Sequence, residues 1–149
     1  MGQRFEVFTH LINKIAKSVR KIKTEEMSGF GIKSSHVVCI YYLYKQPGLT
    51  AVQLGLYCDE DKALISRSLD YLQENGYVQF ESEGKKTYNK KIILTEKGQA
   101  IGEVISGKID KILSEVGSFM SESERMVFYD TLSRVSNELE NITKRYGEK

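Results

Sequence analysis

The chain contains no tryptophan, a single proline, two cysteines and two histidines in 149 residues. Each scarcity closes off a class of protein. Two cysteines cannot build the disulfide framework of a small secreted domain and are too few for a cysteine-based zinc site, so Cys39 and Cys58 are read as reduced. Each sits in an apolar stretch and is expected to pack as a small hydrophobe. His10 and His36 stand far apart and offer no metal-ligand spacing. So little proline, with 40% hydrophobic and 28% charged residues, excludes a collagen-like or disordered chain. No apolar run approaches the ~18 residues of a membrane span. The opening MGQRFEVF also lacks the apolar stretch of a secretion signal. A cytoplasmic location without membrane contact is expected. There is no glycine-rich phosphate loop, no paired-ligand metal motif and no nucleophile beside a base, so neither an enzyme nor a cofactor is expected. Charge of one sign is missing as well: 22 basic residues against 20 acidic leave a net charge of +2. Distribution, not total, has to speak for or against nucleic acid.

What the chain does have is helical periodicity. Phe5, Phe8, Ile12, Ile15, Val19 and Ile22 recur at gaps of three and four, a heptad-like stripe on one long helix. The segment Met27 to Ile32 breaks it, and Ser34 is the nearest candidate cap for a second helix through about Tyr44. Gln46-Pro47-Gly48 stops that helix. Thr50 and Gln53 form a capping-box pattern that starts a short helix to about Tyr57. Asp59-Glu60-Asp61 follows, placed to favour the positive end of another helix, whose core face is Ile65, Leu69 and Leu72 and whose stop is Asn75-Gly76. Two helices joined by about three residues make a helix-turn-helix.

Tyr77 to Phe80 alternates with a two-residue period, and Lys91 to Leu94 is apolar and β-branched, which predicts a hairpin with a long polar tip between them. Thr95 caps a long helix carrying Ile101, Ile105, Ile109, Ile112, Val116 and Phe119. A second capping box, Ser121 with Glu124, opens a last helix with Phe128, Leu132, Val135, Leu139, Ile142 and Tyr146. Gly98 and Gly102, near the start of the first of these helices, suggest a close approach by another backbone, since helical glycine otherwise costs about 1 kcal/mol relative to alanine.

The hairpin tip GKKTYNKK places Lys85, Lys86, Lys90 and Lys91 together with no acidic residue. Such a cluster alone is an ordinary solubilising surface. Directly after a helix-turn-helix it becomes a phosphate-seeking wing, lying beside DNA when the second helix enters the major groove. On that helix the outward residues are Lys62, Ala63, Ser66, Arg67 and Asp70. Arginine reads guanine edges bidentately, serine reaches base or phosphate, and alanine meets a thymine methyl. Two alternatives stand beside this reading. Arg67 could pair with Asp70 along the helix, and Leu64 could pack against a neighbouring helix or meet a thymine methyl.

These residues resemble the MarR family of winged-helix transcriptional regulators. IKSSHVVCIYYL is similar to the family's second helix, LTAVQLGLYCDEDKALISRSLDYLQENGYV to its helix-turn-helix, and SESERMVFYDTL to the start of its last helix. Leu94-Thr95-Glu96-Lys97-Gly98 matches the second half of the wing signature Asp-x-Arg-x5-Leu-Thr-x-x-Gly. Its first half is absent: Lys86 stands at the aspartate position and Tyr88 at the arginine position. Cys58 and Glu60 also replace residues that the family usually has apolar.

The resemblance implies a mainly α (α+β) fold: a winged helix-turn-helix lobe over 31–94 and a helical dimerisation region over 1–30 and 95–149. It implies a homodimer that is not an enzyme but a repressor, acting on a pseudo-palindromic double-stranded DNA operator. The DNA-contacting residues are then Lys62, Ala63, Ser66 and Arg67, with Lys85, Lys86 and Lys90 contacting phosphate in place of the missing wing arginine. Family members often answer to small aromatic or anionic effectors. A pocket for one is expected from His10, Lys14, Tyr41 and Tyr44, where a cation stands beside aromatic walls. The missing half-signature and the acidic triplet motivate the alternative of a winged-helix protein-interaction module without specific DNA readout.

Overall fold

The computed structural model describes residues 2–81 and 89–147. Helix α1 (Gly2–Met27) carries the first stripe and ends in a 3-10 turn, Ser28–Phe30, followed by Gly31 in the left-handed region at φ 70°. Helix α2 (Ser34–Lys45) is capped one residue earlier than expected. The extended Lys33 occupies the cap position without a side-chain bond, and Ser34 is already helical. The Lys33 carbonyl accepts from the His36 and Val37 amides at 3.0 and 3.1 Å, so the backbone alone begins this helix.

Helix α3 (Ala51–Cys58) opens on the expected capping box: the Gln53 amide donates to Thr50 Oγ1 at 3.3 Å and the Thr50 amide to Gln53 Oε1 at 2.9 Å. Asp59, at φ 53° and ψ 46°, ends it. Helix α4 (Lys62–Glu74) is capped by Asp61, whose Oδ1 accepts from the Leu64 amide at 2.7 Å. Two bonds close its other end, from the Gly76 amide to the Gln73 carbonyl and from the Tyr77 amide to the Leu72 carbonyl, with Gly76 at φ 76°. This is the Schellman arrangement, which is why Asn75-Gly76 stops the helix.

Strands β1 (Val78–Phe80) and β2 (Ile92–Leu94) pair antiparallel with Val78 opposite Leu94 and Phe80 opposite Ile92. Inward Val78, Ile92 and Leu94 alternate with exposed Gln79 and Ile93, as a half-buried hairpin requires. The Ile92 amide also donates to the Leu49 carbonyl, fastening the hairpin to the segment ahead of α3. Helix α5 (Glu96–Gly117) and helix α6 (Glu122–Lys144) complete the chain.

The core is built by Val37, Cys39, Ile40 and Leu43 of α2, Leu54 of α3, Ile65, Leu69 and Leu72 of α4, the strand residues and Ile105 of α5. Burying each of the large aliphatic side chains contributes about 1.5–3 kcal/mol. The close approach expected at the start of α5 is present. A Cβ on Gly98 would collide with the Tyr77 carbonyl oxygen, and one on Gly102 would lie 2.9 Å from the Tyr44 ring. At Gly107 there is open space within the chain.

The chain divides into two compact units, residues 1–108 and 109–149. In the second, Ser121 and Glu124 cap α6 reciprocally, with the Ser121 amide donating to the Glu124 carboxylate at 2.7 Å. That bond holds the Glu124 carboxyl below its ordinary pKa. No residue of α6 is buried, and the stripe Phe128, Leu132, Leu139 and Ile142 is exposed.

Candidate nucleic-acid interface

Amphipathicity of α4 sets the candidate surface. Ile65, Ser68, Leu69 and Leu72 are buried, which turns Lys62, Ala63, Ser66, Arg67 and Asp70 to solvent. Arg67 and Asp70 form no ion pair, so the i, i+3 alternative for Arg67 is not realised. An exposed guanidinium with no carboxylate to satisfy it among the described residues keeps its donors for an outside acceptor. Leu64 points elsewhere: half-buried, it lines a cleft with Arg20 and Lys23 of α1 and Val38 of α2. Of its two alternatives, packing is the one present.

Beside α4 runs an open groove of about 970 Å³, walled by α3, α4 and the base of the hairpin. Val52, Leu56, Ile65, Leu69 and Phe80 supply its apolar surface. Lys62 and Lys90 lie in its lining with Asp59, Glu60, Asp61 and Asp70. The acidic side therefore outnumbers the basic in the groove itself, while Arg67 stands outside it. Asp61 is committed to capping α4, as expected from its place ahead of the helix.

The wing is anchored at its base. The Glu81 amide donates to the Lys91 carbonyl at 3.0 Å, and the Lys91 amide to Glu81 Oε1 at 3.1 Å. Lys90 is half-buried against the groove and Lys91 is exposed. Lys85 and Lys86 lie outside the described residues, as does Tyr88.

A group of residues that the sequence marks only through its signature holds wing and helix together. The Thr95 hydroxyl accepts from the Gly98 amide at 3.1 Å, capping α5, and lies 2.5 Å from the Gly76 carbonyl oxygen. Lys97 Nζ donates to the Asn75 carbonyl at 2.8 Å and sits 4.3 Å from the Tyr77 ring centroid. Thr95, Lys97 and Gly98 thus all converge on residues 75–77, where α4 gives way to β1. Their chemistry is positional: they set the recognition helix against the wing.

The four residues expected around an effector are not gathered into either cleft. His10 and Lys14 are exposed on α1, and Tyr41 and Tyr44 are half-buried on α2. Tyr44 lies against Gly102, and Tyr41 packs edge-on to Tyr42 with their centroids 5.2 Å apart. Two associations were invisible in the linear chain. His36 stacks on Tyr71 at 4.2 Å, buried and with no hydrogen-bond partner for its Nδ1 among the described residues, and burial followed by the nearby Lys33 lowers its pKa. Cys39 and Cys58, on different helices, line the same cleft as Leu64.

A helix-turn-helix followed directly by a two-stranded wing, with a polar outer face on the second helix, defines a winged-helix protein. Among the described residues no helix is long and apolar enough to cross a membrane. Comparison with known proteins agrees with this class. Residues 30–86 match the MarR family model. An uncharacterized HTH-type transcriptional regulator of Bacillus subtilis, YwoH, is 26% identical over 119 residues, covering 80% of this chain and 86% of that protein. The fold superposes on NMB1585, a MarR family regulator from Neisseria meningitidis, with a TM-score of 0.82 at 13% identity, covering 95% and 97% of the two chains. It also superposes on MepR of S. aureus in its DNA complex, with a TM-score of 0.74 at 21% identity over 89% and 96% of the chains. Over residues 30–86 the chain is similar to the MarR family.

Proposed function

We propose that this protein is a dimeric, sequence-specific DNA-binding transcription regulator, acting as a repressor that a small aromatic or anionic effector releases. The observation that carries the reading is the outer face of α4, where Lys62, Ala63, Ser66 and Arg67 are exposed together and Arg67 has no ion-pair partner among the described residues. A short side chain beside a long planar cation suits insertion into a major groove. Lys90 and Lys91 at the foot of the wing, with Lys85 and Lys86 earlier in the sequence, add charge for phosphate contacts that are indifferent to sequence.

Dimer formation is supported by what a single chain leaves uncovered. Phe5, Ile15 and Val19 on α1 are 72%, 55% and 43% exposed, and Phe128 and Leu132 on α6 are 44% and 41% exposed. Helices of this length owe most of their stability to a packed apolar face, so stripes this bare call for a partner. A second copy also matches recognition helices to half-sites about 34 Å apart on one face of the duplex. An effector that changed this separation would weaken operator binding.

The deciding experiment is a salt titration of binding to random and selected duplexes. Phosphate contacts predict a linear fall of log affinity against log salt, with a slope of about −0.9 for each phosphate neutralised. A second reading, docking of a basic protein segment, is favoured by the acidic lining of the groove at Asp59, Glu60 and Asp70 beside exposed Leu56. A flat salt response with duplex DNA selects that second reading.

A further inference from the structure

Helix α3 leaves apolar side chains in water. Val52 and Leu56, one turn apart, are 56% and 78% exposed, while Leu54 alone secures the helix to the core. Gly55, between them, lets the helix settle onto the turn that follows: the Glu60 amide donates to its carbonyl at 3.1 Å, and a Cβ there would lie 3.4 Å from the Glu60 carbonyl oxygen. Val52 and Leu56 line the open groove of about 970 Å³ beside α4, together with Phe80 of β1. Carboxylates are spread along the same groove. Asp59, Glu60 and Asp61 lie where α3 passes into α4, and Asp70 lies farther along α4. At 1.5 Å per residue the stretch from Asp61 to Asp70 spans about 14 Å. Among the described residues the lining sets these four carboxylates against Lys62 and Lys90.

We propose that this groove docks a basic amphipathic helix of a partner protein, and that the docked helix excludes DNA. The partner's apolar stripe covers Val52, Leu56 and Phe80, and its lysine or arginine side chains meet the acidic rim. Charge complementarity and spacing select this occupant. One small cation cannot answer carboxylates spread over that length, and a polyamine would leave the apolar side chains wet. Duplex DNA would bring phosphate against Asp59 and Glu60, a repulsion rather than an attraction. A helix with apolar residues at intervals of three and four and cations on its flanks satisfies both features with one element.

Exclusion of DNA follows from shared residues. Lys62, Ser66 and Asp70 line the groove and also belong to the outer face of α4. A helix about 10 Å across laid over them occupies the space that the edge of a major groove needs. The docking deepens the second reading above, and the exclusion rests on the first, the binding of DNA by α4.

The test uses the full chain and a fluorescein-labelled synthetic helix of leucine and lysine at heptad spacing, followed by anisotropy. Expected are saturable binding of one helix per chain and a fall in affinity with salt, which screens the rim. Leu56→Ser changes a side chain outside the core and should weaken binding about tenfold, as loss of an apolar anchor does. Asp59→Asn and Glu60→Gln should each weaken it about two- to fivefold. Asparagine tolerates the left-handed backbone of residue 59, so the end of α3 is kept. Equal binding of a scrambled peptide of the same composition, or full binding by Leu56→Ser, overturns the site. Tetraphenylphosphonium held as tightly as the helix overturns it in favour of a small lipophilic cation, and self-association that Leu56→Ser abolishes overturns it in favour of a second copy. Exclusion is read by adding unlabelled helix to protein bound to a labelled selected duplex. A lysine-rich helix also binds duplex directly, so release of DNA should be weaker from Leu56→Ser than from the parent. Release undiminished in that variant, or a ternary complex, overturns the exclusion. Protein that binds no duplex even without the helix counts against the DNA-binding reading instead, and the helix titration still judges the groove.

Discussion

The Thr95 hydroxyl lies 2.5 Å from the Gly76 carbonyl oxygen while it accepts from the Gly98 amide. One side chain therefore joins the residue that stops the recognition helix to the first turn of the helix that follows the wing. Thr95→Ala removes a cap and leaves the Gly76 carbonyl without this donor, and should cost about 1–2 kcal/mol of stability in urea unfolding. Thr95→Ser keeps the hydroxyl and should recover most of it. Equal losses in the two variants would mean that the methyl group, not the hydrogen bonds, holds the junction.

Gly98 and Gly107 lie on the same helix and should respond oppositely to one added methyl. Beside Gly98 the Tyr77 carbonyl fills the space, so Gly98→Ala should destabilise by about 1–3 kcal/mol, the usual range for overpacking. At Gly107 nothing among the described residues beyond its own helix backbone lies within 4 Å of an added Cβ, and Gly107→Ala should stabilise by about 0.5–1 kcal/mol through helix propensity. Thermal melts of the two variants at matched protein concentration decide both.

Arg67→Ala should lower affinity for the selected operator by about 1–3 kcal/mol and leave random duplex binding nearly unchanged. Asp70→Asn, which removes a carboxylate from the same exposed face, should tighten binding to every sequence. Weakening of all sequences alike by Arg67→Ala would make it a phosphate contact rather than a base reader.

The apolar stripe of α6 gives a test of assembly. Leu132→Asp places a charge in the middle of that stripe, and sedimentation should then report the mass of one 17.0 kDa chain. Operator affinity should fall with it, because a single recognition helix addresses only one half-site. A variant that remains dimeric would move the interface away from α6.

His36 supplies a pH dependence with a definite sign. Burial lowers its pKa in the folded chain below the ordinary 6.5, so the unfolded chain takes up the proton first as pH falls. Stability contributed by the neutral ring is complete above that ordinary value and is lost as pH drops from about 6.5 toward the folded pKa. The urea midpoint should therefore fall between pH 7.5 and 5.5. His36→Phe retains a ring against Tyr71 and should flatten the dependence.

Every helix, the three-residue turn, the wing and each cap but one were legible in the sequence because their causes are local. A stripe repeating at three and four residues, a Thr50-Gln53 capping box and an Asn75-Gly76 stop act through backbone groups a few positions away. Lys33 was missed as the cap of α2 because its carbonyl, not its side chain, starts that helix. The outer face of α4 could likewise be read from the inward placement of Ile65, Leu69 and Leu72. Folding was needed to learn that Cys39, Cys58 and Ser68 line one cleft, that His36 lies on Tyr71, and that Lys97 grips the Asn75 carbonyl. Those pairings join separate helices and strands, and no periodicity encodes which side chains meet when three elements pack on one core.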